Sequence, residues 1–246
     1  MFRTVLTSLL AVLVLCGSAF AAEKTLIAAA NPTWPPMEFL DENKNIIGYD
    51  RDIIAAIAEE IGMKSEFRNI AWDGIFASLE SGQANVIASC VTITDKRKKA
   101  YVFSDPYYEV HQAVVVAKDS AIKKPEDLKG KKVGVQIGTT AIEALRKMNV
   151  DIDLRTYDEV GLVFEDMRNG RLDVVVCDDP VARYYASRKE GYKDLMKVAF
   201  LTEDAEYIGF VFSKDNAELA AQVNKGLKPI RENGKEKAIR NKWLGE

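Results

Sequence analysis

Apolar runs alternate with helical patterns along the chain from residue 26 onward, and this order predicts a sheet covered by helices. Residues 26–30 form an apolar run typical of a buried strand. A helix is predicted next, with Asp50 as its N-cap and Gly62 as its C-cap. Its apolar stripe has helical spacing and consists of Ile53, Ile54, Ile57 and Ile61. Strands over 65–70 and 85–89 then enclose a second helix that ends at Gly82, which completes a β-α-β-α rhythm.

The same rhythm starts again after Lys118. The predicted strands cover 132–135, 153–157, 173–177 and, last, 207–212, and the helices between them cover 141–148, 160–168 and 181–190. Two helices close the chain, broken near Asn233 and Gly234, with Trp243 as a late apolar anchor. The pattern therefore predicts an α/β protein of two lobes, each a mostly parallel sheet flanked by helices.

A short internal repeat links the two predicted lobes. Residues 82–86 and 170–174 both read G-x-x-[ND]-V, and each follows a helical stripe and opens a strand. The repeat places residues 89–90 and 177–178 at the carboxyl ends of sheet strands, where open α/β sheets bind ligands. Two such edges that face each other would form a cleft between the lobes.

Two extended runs, 111–118 and 206–214, are predicted to pair as hinge strands between the lobes. Neither run is rich in Gly or Ser, which argues against a flexible linker. The predicted division assigns 22–114 and 210–246 to lobe 1 and 115–209 to lobe 2.

Residues 1–21 have the pattern of an export signal. Arg3 precedes an apolar run over 5–15, and Ala19 and Ala21 supply the Ala-x-Ala pattern before a predicted cleavage after Ala21. The apolar run is shorter than the roughly 20 residues that span a bilayer. A buried N-terminal helix and a lipoprotein anchored through Cys16 are the alternatives, and Leu15 argues against the second. The signal predicts export to the periplasm.

Composition and charge exclude several classes of function. The 246 residues are 48% hydrophobic, which is enough for a packed core, and the formal net charge of −3 argues against a basic nucleic-acid-binding face. The chain has one histidine, His111, and no Cys-x-x-Cys, His-Glu-x-x-His or P-loop motif. We therefore expect no catalytic set, no metal and no cofactor, and we interpret His111 as a structural or surface residue.

Arg97 and Asp178 are the candidate charged ligand groups. Thr94 is placed to cap a helix that carries Arg97 in its first turn, where the guanidinium can bind a carboxylate. The alternative is a solvated basic helix start, because Lys96 and Lys98 are neighbours. Asp178 can accept an ammonium group, or it can cap the helix after Pro180 together with Asp179.

Several segments resemble the polar amino-acid-binding proteins of ABC importers (solute-binding family 3), in the right order over essentially the whole chain after the signal. The opening motif of that family resembles residues 31–39, and its Gly-Phe-Asp-x-Asp segment resembles 48–52. Its central motif resembles 89–97 together with 103–108. Further segments that resemble the family are 127–131 with 133–135, 138–140, 170–174, and 231–234 with 243–245.

The resemblance implies a two-lobed periplasmic binding fold of type II that closes on one free L-amino acid. It implies that Arg97 binds the α-carboxylate with backbone N–H groups of Thr92 and Thr140, and that Asp178 binds the α-ammonium near a carbonyl of Cys90. Other implied positions are the aromatic walls Trp34 and Trp72, which residue patterns alone do not distinguish from core residues, and the specificity positions Asn31, Ser89 and Gln136. Cys90 and Cys177 would flank the cleft in different lobes, where a disulfide would obstruct closure, so we expect free thiols.

The resemblance leaves the ligand's side chain open. Asn31 stands where several binders of basic amino acids carry Asp, and Glu38 matches a common family residue that is not by itself a ligand group. Polar uncharged, basic and aromatic amino acids remain candidates. The resemblance also implies a membrane permease of an ABC transporter as partner, and we expect a monomer that is not an enzyme. The alternatives are an enzyme similar to cyclohexadienyl dehydratase on the same fold and a sensory module.

Overall fold

The computed structural model describes residues 24–245. The predicted signal peptide, with Cys16, lies outside the described residues. Within the described range, no helix is both long and apolar enough to cross a membrane.

The first half of the chain supplies most of one sheet. Its elements are β1 (Thr25–Ala30), β2 (Thr33–Trp34), β3 (Glu38–Leu40), β4 (Ile46–Ile47), α1 (Tyr49–Glu60), β5 (Lys64–Asn69), α2 (Ala77–Glu80), β6 (Val86–Ile87), α3 (Asp95–Ala100), β7 (Val102–Phe103) and β8 (Tyr108–Val110). A 3-10 turn over Trp72–Gly74 precedes α2.

The second half builds another sheet and then returns to the first. Its elements are β9 (Gln112–Ala117), β10 (Lys132–Gln136), α4 (Ala141–Met148), β11 (Asp153–Tyr157), α5 (Val160–Arg168), β12 (Val174–Asp178), α6 (Asp179–Ser187), β13 (Met196–Leu201), β14 (Glu206–Ile208), β15 (Val211–Phe212), α7 (Ala217–Glu232) and α8 (Lys235–Trp243). Short 3-10 turns cover Pro125–Leu128 and Lys214–Asn216.

The two five-stranded sheets are mixed, which corrects the prediction of mostly parallel sheets. The first has the order β5-β1-β6-β15-β7, and the second β11-β10-β12-β9-β13. In each, two pairs are parallel and two are antiparallel. The antiparallel pairs arise because β15 and β9 enter their sheets directly from the connecting segments rather than through a crossover helix. A smaller, three-stranded sheet has the order β2-β3-β4.

The predicted pairing of 111–118 with 206–214 as hinge strands is wrong. The paired connection is shorter and joins β8 to β14, with Val110 opposite Glu206 and Tyr108 opposite Ile208. β9 instead lies inside the second sheet, because its consecutive valines are buried on both faces, as in a central strand. The lobe boundaries stay a prediction, but a boundary between 114 and 115 would cut through β9.

The predicted last strand over 207–212 is two strands. The strand is interrupted at Gly209, where an added Cβ would lie 2.9 Å from Cδ1 of Ile93. β14 therefore pairs with β8, and β15 continues into the first sheet beside β6.

The internal repeat has the same structural role in both lobes. Gly82 and Gly170 have left-handed φ values of 70° and 71°. The polar residue three positions after each glycine then binds a neighbouring strand: Asn85 Oδ1 accepts from Ile27 N, and Asp173 Oδ2 accepts from Lys132 N, each at 2.8 Å. In both halves the repeat follows a helix and precedes a strand, as predicted.

The predicted N-cap of α1 is wrong, because Gly48 occupies that position. Asp50 is fully buried within the first turn, and its Oδ2 accepts from the backbone N–H of Cys90. Cys90 has a φ of 46°, so this hydrogen bond holds an unfavourable backbone conformation at the end of β6. The predicted helices 141–148, 160–168 and 181–190 correspond to α4, α5 and α6.

The two closing helices break at the predicted place, where Gly234 has a φ of 82°. Trp243 anchors α8 as predicted. Its ring packs edge-on against Phe39 at 5.7 Å, and its Nε1 donates to Asp52 Oδ2 at 2.7 Å.

Gly48→Ala is expected to destabilise the fold by at least about 2 kcal/mol. Gly48 has a φ of 133°, a region nearly exclusive to glycine, and an added Cβ would lie 2.3 Å from the carbonyl oxygen of Met37. The matched control is Gly74→Ala, where a Cβ would meet no atom within 4 Å. Urea unfolding measures both variants, and equal midpoints would contradict the expectation.

Candidate functional site

One cavity between the two sheets collects all ten residues that the resemblance implied. The space between its side chains is about 350 Å³, part of which is open to solvent. The first lobe contributes Asn31, Trp34, Glu38, Trp72, Ser89, Cys90, Thr92 and Arg97, and the second contributes Gln136, Thr139, Thr140 and Asp178. Glu38 and Thr139 were not predicted. The lining lies at the carboxyl ends of β1, β6, β10 and β12, the edge at which such sheets bind ligands.

The β2-β3 hairpin places an indole and a carboxyl side by side on one wall. Trp34 stands directly opposite Glu38 in the antiparallel register, so both side chains project from the same face. Ser89, after β6, ties this hairpin to β1: its hydroxyl donates to Glu38 Oε1 at 2.8 Å and accepts from Asn31 N at 3.0 Å. Thr33 in turn donates to Asn31 Oδ1 at 2.8 Å.

Arg97 lies in the first turn of α3, which Thr94 caps as predicted by accepting from Arg97 N at 3.2 Å. The guanidinium donates to the carbonyl of Thr92 at 2.9 Å and across the cavity to the carbonyl of Gly138 at 3.1 Å. It also lies 5.8 Å from the Trp72 ring centroid. Burial lowers the pKa of Arg97, and the negative charges of Asp178 and Glu206 oppose that shift. The side chain is held toward the cavity, which excludes the solvated alternative.

Asp178 is the N-cap residue of α6, yet its carboxylate makes no capping hydrogen bond and points into the cavity. Oδ1 accepts from Gln112 Nε2 at 2.6 Å, and Oδ2 accepts from Trp34 Nε1 at 3.3 Å and from Cys90 Sγ at 3.5 Å. Burial, followed by the charge of Glu206, raises the pKa of Asp178 to about 7. All three donors are neutral, so within residues 24–245 no cationic group is hydrogen-bonded to this carboxylate. Asp179 accepts from His111 N at 3.0 Å and lies outside the lining, so its hydrogen bonds do not cap α6 either.

The second-lobe wall is built around the start of α4. Thr139 donates to the carbonyl of Gln136 at 2.8 Å, and Gln136 Nε2 donates to the carbonyl of Asp158 at 2.8 Å. Thr140 lines the cavity as the N-cap residue of α4, and its side chain makes no capping hydrogen bond. The N–H groups at the start of a helix can bind an anion. Trp72 packs across against Gly138, where a Cβ would lie 3.2 Å from the indole nitrogen.

A polar chain on the hinge side links the two lobes and was not predicted. Glu206 Oε2 accepts from Thr140 Oγ1 at 2.6 Å, from Gln112 Nε2 at 3.2 Å and from Thr92 Oγ1 at 3.4 Å. Gln112 also donates to Asp178. Glu206 and Gln112 are far apart in sequence and meet because β14 pairs with β8, the strand just before β9.

The predictions about cysteine and histidine agree with the structure. Cys90 and Cys177 are buried free thiols, and burial raises the pKa of both well above the ordinary value. His111 contacts the carbonyl of Thr202 through Nδ1 at 2.8 Å and does not line the cavity. Among residues 24–245, no group of three or more His, Cys, Asp or Glu side chains is arranged to hold a metal ion.

Comparison with known proteins gives concordant matches. Residues 26–246 match the bacterial extracellular solute-binding proteins, family 3. The L-cystine-binding protein TcyJ of Escherichia coli (strain K12) is 32% identical over 223 residues, 90% of this chain and 83% of that protein. An ancestral arginine-binding protein, solved bound to glutamine, is 38% identical with a TM-score of 0.84, and the match covers 91% of this chain and 99% of that one.

A second solved structure bears on the enzyme alternative. It is an ancestral amino acid-binding protein described as a precursor of cyclohexadienyl dehydratase. It is 36% identical with a TM-score of 0.82, and the match covers 89% of this chain and 95% of that one.

Proposed function

Because the chain belongs to the bacterial extracellular solute-binding proteins of family 3, we propose that it captures one free L-amino acid in this cavity and delivers it to the membrane permease of an ABC transporter. The observation that carries the proposal is the placement of Arg97 and Asp178. They extend from different lobes into one cavity, and the three donors that are hydrogen-bonded to the Asp178 carboxylate are all neutral.

Two opposite charges on opposite walls match the two charges of an α-amino acid. The Arg97 guanidinium can bind the α-carboxylate through two hydrogen bonds, with the start of α4 adding backbone N–H groups. Asp178 can accept the α-ammonium. Trp34 and Trp72 then enclose the side chain.

Hinge closure follows from the same placement. An amino acid that binds both charges favours the conformation in which the lobes approach, because an open cleft satisfies one charge at a time. The short β8-β14 pair is the connection about which such a movement would occur. The proposal includes a periplasmic location, a predicted signal peptide and a monomeric state.

A screen of unfolding temperature against the common amino acids tests the proposal. The protein is first unfolded and refolded to remove bound ligand. A ligand at a hundredfold excess over its Kd stabilises the folded state by about 2.7 kcal/mol, which is readily measured. We expect one amino acid or a small group to raise the unfolding temperature, and no effect from any would contradict the proposal.

A second candidate function, a dehydratase, is favoured by one observation. A buried Asp178 with a pKa of about 7 is a proton donor at neutral pH. Against it, Asp178 accepts three hydrogen bonds, and these favour its ionised form over the protonated form that a general acid needs. Incubation with prephenate decides between the two: formation of the keto-acid product would support the dehydratase, and the binding proposal predicts none.

Ligand affinity is expected to fall as the pH is lowered from 8 to 5. Burial and the charge of Glu206 raise the pKa of Asp178 to about 7, and only the ionised form accepts an ammonium group. Binding is thus strongest above that pKa and decreases by at most about tenfold per pH unit below it. Calorimetric titration at four pH values measures the slope, and an affinity that stays constant from pH 8 to 5 would contradict the assignment.

A further inference from the structure

Gln112 is a buried amide that lies between the cavity and the hinge. It is 1% exposed and stands directly opposite Asp178 in the antiparallel register of β9 and β12, so both side chains project from the same face of the sheet. Its Nε2 donates to Asp178 Oδ1 at 2.6 Å, to Glu206 Oε2 at 3.2 Å and to Thr140 Oγ1 at 3.3 Å. One amide group therefore joins the predicted ammonium acceptor to a second carboxylate, on β14.

The two carboxylates fix the orientation of this amide. The reverse orientation would place Oε1 of Gln112 against the oxygens of Asp178 and Glu206, where oxygens without a hydrogen between them repel one another. In the observed orientation, Oε1 is buried and makes no hydrogen bond among residues 24–245. A buried acceptor without a donor is unfavourable, and its presence here needs a reason. The reason we infer is the work of the donor end, which serves both carboxylates.

Glu206 places a second negative charge beside Asp178. Burial, followed by the charge of Glu206, raises the pKa of Asp178 to about 7, whereas the hydrogen bond from Gln112 lowers it. Glu206 accepts from Thr140 and Thr92 as well and is not among the residues that line the cavity. Its charge therefore reaches a ligand through space rather than by contact. The same negative charge that disfavours ionisation of Asp178 attracts a cation that binds there.

The other charged and titratable groups around Asp178 lie on several elements. Arg97 on α3 is a cation whose charge interacts with that of Asp178, and Glu38 on β3 is a further carboxyl. The thiols of Cys90 and Cys177 are buried near it, and burial raises the pKa of both. Substitutions in the amide and in its second acceptor leave all four groups in place. A change in ligand binding can then be assigned to the substituted group.

We propose that Gln112 is a positioning residue of the ammonium site: its amide holds the Asp178 and Glu206 carboxylates together, so that the ligand's α-ammonium group is bound in the field of both. This inference rests on the proposed function and assigns roles to two residues that do not line the cavity. Asp178 accepts the ammonium hydrogens directly, and Glu206 strengthens the attraction from behind the cavity wall. Gln112 keeps the two negative charges close by donating one hydrogen to each.

Glu206→Gln tests the second charge, because glutamine keeps an oxygen that can accept from Thr140 and Gln112. Calorimetry from pH 5 to 8 uses the common L-amino acid that most raises the unfolding temperature. We expect binding at pH 8 to weaken by about fivefold or more. The pH below which affinity falls should move down by at least about 0.5, since the charge that raises the pKa of Asp178 is gone. Glu203→Gln, at an exposed position just before β14, is the matched control and should change neither value.

Gln112→Met tests the amide itself, since methionine has a similar length and no donor. The hydrogen bond from Gln112 lowers the pKa of Asp178, so the pH below which affinity falls should move up by at least about 0.5, opposite to the shift in Glu206→Gln. Gln83→Met, at an exposed position before β6, is the matched control and should leave that pH unchanged. Circular dichroism checks the fold, and if Gln112→Met does not fold, Glu206→Gln decides alone.

The pH profile separates positioning from mere support of the fold. A loss of affinity by the same factor at every pH, or a profile that does not move in either folded variant, would overturn the inference and leave the proposed function intact. If the unmodified protein binds no amino acid, the proposed function itself fails.

Discussion

Replacing Arg97 with alanine is expected to weaken amino-acid binding by at least about 100-fold. The variant removes the guanidinium that would hold the α-carboxylate, and two charge-assisted hydrogen bonds contribute about 1.5–3 kcal/mol each. The fold should persist, because the Arg97 side chain is only partly buried and donates to two carbonyls that can bind water instead. Calorimetric titration gives the affinity, and circular dichroism checks the fold.

The matched control is Lys96→Ala, which removes an exposed cation from the preceding position of α3. It should bind within threefold of the unmodified protein. Arg97→Lys separates charge from geometry: lysine keeps the charge but lacks the planar fork, so we expect intermediate binding. An Arg97→Ala variant with nearly unchanged affinity would contradict the assignment of the carboxylate site.

Asp178→Asn is expected to cause a loss of similar size, at least about 100-fold. The substitution keeps the shape and removes the negative charge that would bind the α-ammonium. It should not lower stability, because burial raises the pKa of Asp178 to about 7 and the ionised carboxylate is therefore unfavourable in the folded, ligand-free protein. At pH 8 we expect an unfolding temperature equal to or above that of the unmodified protein.

Asp179→Asn is the neighbouring control. Its carboxylate accepts from His111 N and Arg183 Nε and does not line the cavity, so ligand affinity should stay within threefold. Comparable losses in the two variants would point to a disturbed α6 rather than a lost ammonium acceptor.

The local sequence pattern is sufficient to predict those helices and turns whose conformation is determined by their own residues. The predicted helices 141–148 and 160–168 coincide with α4 and α5 because each has an apolar stripe with clear limits. The repeat at 82–86 and 170–174 is recognisable because its glycines need left-handed φ and its polar residues bind a neighbouring strand.

The hinge could not be predicted from local pattern, because pairing partners are chosen by tertiary structure. An apolar run such as 111–118 fits a hinge strand and a central strand equally well, and its burial on both faces decides for the latter. The prediction that Asp50 caps α1 was wrong for a similar reason. It has the residue type of an N-cap, yet its partner is the distant N–H of Cys90.

The site residues that lie in recognisable sequence motifs could be predicted. Those that reach the cavity only through strand pairing between distant segments could not. All ten implied residues line one cavity, although their roles in binding stay a prediction. Glu38 was detectable in principle, since a hairpin around Pro35 and Pro36 sets it opposite Trp34. Glu206 and Gln112 gave no such signal, because only the β8-β14 pairing brings them to the cavity.

The central claim is recognition of both α-groups of one free amino acid. The most direct measurement is calorimetric titration of the refolded protein with the best amino acid from the screen, its α-carboxamide, and the analogue that lacks the α-amino group. The free amino acid is predicted to bind at least about 100-fold more tightly than either derivative, because each derivative lacks the partner of Arg97 or of Asp178. Binding of either derivative within threefold of the free amino acid would contradict the account.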